Sequence, residues 1–384
     1  METKKRVVHM TTVHHPYDPR IYHKQCKSLE NAGFDVTLIA RRDPKGNDGD
    51  KTINHILLKT YKSRLKRMVF GTIDAYKKAK SMNADIITFH DPELLPAAWL
   101  LKKQNHVVIY DIHEDYITSI MQKDYLSEPV KKIAASGYKL MEKFFTKGMG
   151  LSLAEKYYQD IYPDGVWILN YPTINEKFIE HERTGEVENK VLYTGNVSHV
   201  RGARYHAKLP VIDPDVNVHF VGKCPKGLAE EMYDVAGEHK NRLHIEGIDS
   251  FVEKEVIEER YLERNWLAGI AMFPPTEHYK KKELTKFFEY MNAGIPVLCS
   301  DFPVWKAFVE RYECGIAVNP EDDEAIKEAI DYLKNNPEEA SRMGRNGKKA
   351  VMEELNWQTQ EYKLIRWYNG LLNEGLSSNT GEEV

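Results

Sequence analysis

Short apolar runs alternate with helix-patterned segments along almost the whole chain, and the alternation begins twice. Residues 6–10 (RVVHM) read as a buried strand, a helix is expected over 21–32 with its stop at Gly33, and 35–40 (DVTLIA) read as a second strand. A strand–helix–strand opening leaves few topologies: parallel strands, right-handed crossovers and helices on both faces of a sheet. Further strands are expected at 53–58 (INHILL), 85–89, 106–111 (HVVIYD), within 148–163 and at 166–172 (VWILNYP). Apolar density then falls and charge rises over 173–189, which marks a domain boundary. The pattern restarts at 190–195 (KVLYTG) and continues at 216–222, 242–247, 269–275, 295–300 and 315–320. Helices are expected between these runs at 226–239, 251–265, 286–292, 302–310, 321–335 and 337–353, with a last one over 357–372. The fold class is therefore α/β with two doubly wound, Rossmann-like domains, and 384 residues suffice for each to bury its own core.

Composition removes several functional classes. No apolar run approaches the ~18–20 residues needed to span a bilayer. METKKRVVHM leads straight into a strand, so no signal peptide is expected. Cys26, Cys224, Cys299 and Cys314 lack metal-type spacing and fit free thiols in a reducing cytoplasm. The polar tail at 377–384 is expected to fray. The net charge of −4 is unevenly spread: residues 1–175 carry 27 Lys and Arg against 20 Asp and Glu, and the remainder 27 against 38. An N-terminal surplus of +7 suits an anionic partner such as a membrane surface or a phosphorylated acceptor, and no nucleic acid is expected. Its densest part is the segment opening on Lys59 and closing on Lys80, with eight Lys and Arg, one acid (Asp74) and an apolar side of Met68, Val69, Phe70, Ile73 and Tyr76. Such a segment can lie on an anionic membrane, giving a cytoplasmic, peripheral protein, or be a solvated helix packed on its own domain. A second basic helix is expected over 130–147.

In an open α/β sheet, ligands bind at the carboxyl ends of the strands. The G-x-G-x-x-G dinucleotide fingerprint is absent after the first strand. The loop 11–20 carries Asp18 and Arg20, Asp18 being also readable as a plain helix-start residue. Two later strands end in His90-Asp91 and in Asp111-Ile112-His113-Glu114, clusters of imidazole and carboxylate on the edge that faces a crevice. No helical His spacing or Cys cluster accompanies them, so no metal is expected. In the second half, Gly195, Asn196 and Arg201 follow the first strand, and arginine suits a diphosphate because its planar fork bonds two oxygens at once. In ELTKFFEYMNAGIPVLCSD (283–301), Thr285 is expected to cap a helix starting at Lys286. Lys286 and Glu289 then lie in the first turn, where N–H groups and the dipole favour anions. Lysine and N–H groups suit phosphate and the carboxylate suits hydroxyls; the alternative is an amphipathic helix with a charged rim.

KFFEYM followed by AGIPV resembles the donor-site signature of GT-B glycosyltransferases, most closely the large retaining family four that uses nucleotide sugars. Asp18-Pro19-Arg20, the pairing HDPELLP with YDIHEDY, the Asn-x-Pro turn at 170–172 and the turn at Arg201-Gly202 resemble the same group in order and spacing. The resemblance implies two Rossmann-like domains facing across a cleft: an acceptor-binding domain over 1–178, a nucleotide-sugar domain over 186–355, and a helix at 356–376 crossing back to the first. It implies His113 near the transferred sugar, with Asp18, Arg20, His90, Asp91 and Glu114 on the acceptor side. It also implies Glu289 on the ribose hydroxyls, and Gly195, Asn196, Arg201, Thr285 and Lys286 around the diphosphate. His113, Arg201 and Lys286 would do the catalytic work, with a nucleotide sugar as substrate, a glycan or lipid-linked acceptor, and no cofactor. Lys281 stands where many relatives carry a second Glu, and Asn196 where arginine is frequent, which keeps open a non-catalytic sugar-nucleotide-binding protein or a sugar-nucleotide epimerase.

Overall fold

A computed structural model describes residues 4–43, 52–104, 106–121, 127–174, 176–181, 183 and 186–379. The end of the polar tail, 380–384, lies outside them. The chain divides into two compact units, Met1–Asn170 with Trp357–Val384, and Tyr171–Asn356.

The first unit is built on a parallel sheet of seven strands: β1 (Arg6–Met10), β2 (Asp35–Arg41), β3 (Asn54–Leu58), β4 (Ile86–Phe89), β5 (Val107–Ile112), β6 (Gly150–Leu153) and β7 (Val166–Trp167). They lie in the order β3-β2-β1-β4-β5-β6-β7. Successive side chains take opposite faces and feed two cores. Val8, Ile87, Phe89, Val108 and Tyr110 pack with Ala75, Leu95 and Leu101 of the helices Thr72–Ser81 and Leu95–Lys102. Val7, Ile86 and Ile109 pack with Ile21, Leu29, Trp357, Leu364 and Tyr368. The helix Trp357–Asn379 is thus part of the first unit's core, pinned by Thr88 Oγ1 to Tyr368 Oη at 2.6 Å and by Trp357 Nε1 donating to Ser28 Oγ at 2.9 Å.

The second unit has six parallel strands: β8 (Glu188–Thr194), β9 (Asn217–Cys224), β10 (Leu243–Ile248), β11 (Trp266–Ala271), β12 (Val297–Ser300) and β13 (Gly315–Val318). Their order is β10-β9-β8-β11-β12-β13. In each sheet the winding reverses between two neighbours, β1 and β4 or β8 and β11, and the loops beyond their carboxyl ends form the usual ligand edge.

Local differences from the sequence reading have physical causes. The expected helix at 21–32 begins two residues earlier, at Pro19, because Asp18 accepts the N–H groups of Arg20 (2.8 Å) and Ile21 (3.0 Å). Its turns over Pro19–Cys26 are widened to π geometry before the α-helix Lys27–Asn31. The helix in 283–301 runs Thr285–Asn292 with extended Leu284 as its cap residue, so Thr285 is inside it rather than capping it. The strand expected over 166–172 pairs only at Val166–Trp167. Chain beyond Asn170 already belongs to the second unit, where the Tyr171 ring packs on Phe288 (centroids 4.9 Å) and Phe178 packs on Tyr261 (6.2 Å). The short helices Tyr116–Met121, Ala203–Ala207 and Leu209–Ile212 carry too few turns for a period to register.

Candidate functional site

In the first unit the carboxyl ends of β1, β4 and β5 converge on Asp111, a fully buried carboxylate. Arg20, from the π-wound helix, is 4% exposed and forks onto it, Nε donating to Oδ2 at 2.9 Å and Nη2 to Oδ1 at 2.6 Å. Ser152 of β6 adds 2.7 Å to Oδ1. His90 Nδ1 lies 3.1 Å from Oδ2. Desolvation would raise this carboxyl's pKa, but Arg20, His113 and His90 hold it well below the usual carboxylate range.

A carboxylate only accepts, and this orders the protons around it. His90 must carry hydrogen on Nδ1, leaving Nε2 to accept from His9 Nδ1 at 3.0 Å. Both imidazoles are buried and neutral, their pKa values lowered by desolvation. On the other side, His113 Nδ1 faces the Asp111 carbonyl at 3.1 Å and its carboxylate at 3.4 Å, so His113 Nε2 accepts from His14 Nε2 at 2.9 Å. His14 also lies 3.3 Å from Asp91. Burial works against a charge on His14, yet Asp91, Asp18 and Glu114 outweigh it and raise its pKa. Asp91 in turn takes Thr11 Oγ1 (2.8 Å) and the N–H groups of Thr12 (2.6 Å) and Val13 (3.2 Å). Its pKa is opposed by burial but brought down to about 2 by His14 and these donors.

The structure thus brings Asp18, Arg20, His90, Asp91, His113 and Glu114 to one edge, and divides their parts. Arg20, His90 and Asp91 are buried with their partners and organise the edge without presenting a free surface. His113 is half-buried and Glu114 exposed. His14, with Thr11 and Thr12, was missed by the sequence reading; the only signal was the doubled histidine in TTVHHPYDPR directly after a strand. His90, Asp111 and His113 offer potential ligand atoms within 4.8 Å of one another. The Nδ1 atoms of both histidines face the Asp111 oxygens, which already hold the Arg20 guanidinium.

In the second unit, Lys286 is carried by the first turn of Thr285–Asn292 and is 9% exposed. Its ammonium donates to the Thr194 carbonyl, sits 4.5 Å over the Tyr193 ring and lies beside Gly195. Burial, with Arg201 adding to it and Glu289 opposing, lowers its pKa to about 8. Glu289, one turn on, accepts from Tyr261 Oη at 2.8 Å, and Tyr261 Oη is 2.7 Å from Thr194 Oγ1. Arg201 is half-buried, with Nε 3.3 Å from Tyr279 Oη and Nη1 3.4 Å from the Asn196 carbonyl. Burial opposes its charge, and Tyr193 and Tyr279 outweigh that. The Asn196 side chain and Thr285 are exposed.

Two close approaches demand glycine here. At Gly202 (φ +77°) a Cβ would stand 1.8 Å from the Met272 carbonyl oxygen, and at Gly222 it would stand 2.1 Å from that of Gly195. Gly195, Asn196, Arg201, Lys286 and Glu289 therefore surround one edge, at the ends of β8 and β11. Lys281, in contrast, is exposed just after the short helix Glu277–Lys280. Tyr193, Tyr261 and buried His206, whose Nε2 accepts from Met272 N at 2.8 Å, gave no sequence signal beyond strand or helix periodicity.

Two doubly wound parallel sheets, each with polar groups at its switch point, define the GT-B class. Solved structures share it over nearly the whole chain. A sucrose-phosphate synthase from Thermosynechococcus elongatus aligns with a TM-score of 0.73 at 18% identity, covering 97% of this chain and 100% of its own. A glycosyltransferase from Rickettsia africae gives 0.71 at 14%, covering 96% and 99%. The Anabaena protein HepE, in complex with UDP-glucose, gives 0.68 at 10%, covering 95% and 99%. No curated protein sequence matches the chain. Residues 175–350 match the family described as glycosyl transferases group 1. The match lies within the second unit and, with the GT-B fold, supports a glycosyltransferase by class.

Proposed function

We propose that the protein moves a sugar from a nucleotide-diphosphate sugar, of UDP or GDP type, to a glycan or lipid-linked acceptor with retention, in cell-surface polysaccharide or glycoconjugate synthesis. The observation that carries this reading is the pairing of Lys286 with Glu289 beside Gly195: a desolvated cation and a hydroxyl-binding carboxylate one helical turn apart. Diphosphate oxygens would replace the Thr194 carbonyl as partner of Lys286, with Arg201 as second cation, and Glu289 would take the ribose hydroxyls. Both cations would stabilise charge on the departing diphosphate, so that no metal is required. His113, its Nε2 available as acceptor once His14 turns its hydrogen aside, would meet a sugar hydroxyl near the reacting carbon. The UDP-glucose held by HepE supports this donor class. On the acceptor side, the basic N-terminal half would meet an anionic membrane through the segment between Lys59 and Lys80.

The test is incubation with a panel of UDP- and GDP-sugars and lipid-linked acceptors, following released nucleotide. Acceptor-dependent release supports the proposal. Binding without any turnover would favour a non-catalytic protein, and conversion of the donor without acceptor an epimerase.

A further inference from the structure

The helix Glu128–Thr146 is amphipathic in the wrong sense for a core helix. The side chains it turns inward include Lys131, Ala135, Glu142 and Thr146. Glu142 is met there by Tyr138 Oη at 2.7 Å and Tyr162 Oη at 2.5 Å, so its inward face carries a polar seam, with Phe145 packed on the core beside it. Its outward face is apolar: Ile133 is 74% exposed, Leu140 70%, Phe144 61% and Val130 47%. These four fall at spacings of three, seven and four residues, with Gly137 in the gap, so they form one continuous stripe. Lys132, Lys139 and Lys143 are exposed and fall about a third of a turn or more around from it, forming a second stripe of charge. The acids on this helix are taken: Glu142 faces inward, and Glu128 pairs with Lys131 Nζ at 2.8 Å.

We propose that this helix face is a lipid-contact site lying flat on an anionic membrane, with Ile133, Leu140 and Phe144 in the acyl boundary and the lysines at the headgroups. Charge complementarity selects this occupant. A second copy of the same face would bring two lysine stripes together, whereas an anionic bilayer neutralises them and accepts the apolar stripe. No helix among the described residues is long and apolar enough to cross a membrane, which leaves surface docking. The helix Leu95–Lys102 packs against both this helix and Thr72–Ser81, whose leading segment exposes Leu65 (74%), Val69 and Phe70 among Lys62, Arg64 and Lys66. The inference rests on the membrane-facing reading of the N-terminal half but assigns the apolar contact to a different element.

The experiment is sedimentation of the full chain with vesicles of phosphatidylglycerol and phosphatidylcholine, and with phosphatidylcholine alone. The variants are Ile133→Ser/Leu140→Ser and Lys62→Glu/Lys66→Glu. Both serines replace side chains that are mostly exposed, and an unchanged melting temperature checks folding. The expected result is binding to the anionic vesicles only, weakened about tenfold or more by the paired serines, since each serine forfeits most of a large apolar side chain's burial in the acyl boundary. Binding lost only in the lysine variant overturns this helix assignment but keeps the membrane reading. An absence of binding by the wild-type chain overturns both. A dimer in solution that the serine pair converts to monomer assigns the face to a second copy and overturns the proposal.

Discussion

Removing either partner of the Arg20–Asp111 pair should cost far more than removing both. The two groups are 4% and 0% exposed and joined by bonds of 2.9 and 2.6 Å, so Asp111→Leu strands a guanidinium in the core with its Nη1 already lacking a partner. Breaking a buried pair from one side costs about 3–5 kcal/mol, while replacing both charges by apolar groups is often close to neutral. Ser152 and His90 also lose an acceptor in Asp111→Leu, each worth about 1 kcal/mol, which places this variant at the upper end. Arg20→Leu leaves the carboxylate with Ser152 and His90 and belongs at the lower end. Arg20→Leu/Asp111→Leu should then cost less than either single, which with singles of about 3 and 5 kcal/mol is a coupling of more than about 5 kcal/mol. Global unfolding of a two-unit chain need not be two-state, so the assay is native-state hydrogen exchange of peptides covering β5, which report opening of the first unit alone. A coupling below about 1 kcal/mol, or an Asp111→Leu chain whose β5 exchanges like wild type, would refute the hub.

Acidification should destabilise the first unit from about pH 6.5 downward. His9 and His90 have folded pKa values below that of the unfolded chain, so the unfolded state binds the additional protons below the unfolded value and stability falls with pH there, up to ~1.4 kcal/mol per pH unit per histidine. Asp91, at about 2, extends the loss below pH 4; β5 exchange that stays flat between pH 7 and 5 would contradict the histidine part. For Lys286 the sign concerns the ligand: its charge is lost as pH rises through about 8, so UDP affinity measured by calorimetry should fall above that pH, with net proton uptake on binding, and Lys286→Met should flatten the dependence. Glu289→Ala should weaken nucleotide binding at least ~10-fold, and Glu289→Gln, which still accepts from Tyr261, less so; equal affinities for all three remove Glu289 from the ribose role. Gly202→Ala should lower the melting temperature of the second unit and reduce UDP binding, since its Cβ would strike the Met272 carbonyl and move Arg201.

Periodicity exposed most of the architecture, because strands buried on both faces and helices of three turns leave strong patterns in composition. Lys286 and Glu289 were legible for a local reason: their spacing places both on one turn of a helix that follows a loop, and nothing distant is needed to see it. Asp111 with Arg20 was not legible as a pair. The two lie 91 residues apart, and only the sheet order that sets β1 beside β4 and β4 beside β5 brings the helix after β1 over the end of β5. Tyr261 reads as one more apolar position of the helix Lys254–Glu263, since a buried aromatic and a hydrogen-bonding phenol look alike in sequence. The outward stripe on Glu128–Thr146 carries the same periodicity as a core-facing stripe. Which side of such a helix meets protein is settled by the polar seam around Glu142, and that seam depends on Tyr162 from a later loop.

The proton order around Asp111 closes the first unit's interior to proton relay. Hydrogens point inward along His9, His90 and Asp111 on one arm and along His14 and His113 on the other, and both arms end on the same acceptor. A proton arriving at His14 from solvent can be held there by Asp91, but relaying it to His9 would require reversing the tautomers between them against a guanidinium already bound to Asp111. His9, with no partner for Nε2, is a dead end. A charge gained or lost at the rim is therefore felt by the core through space, since His14 and His113 both hold down the pKa of His90, while the proton itself stays at the rim.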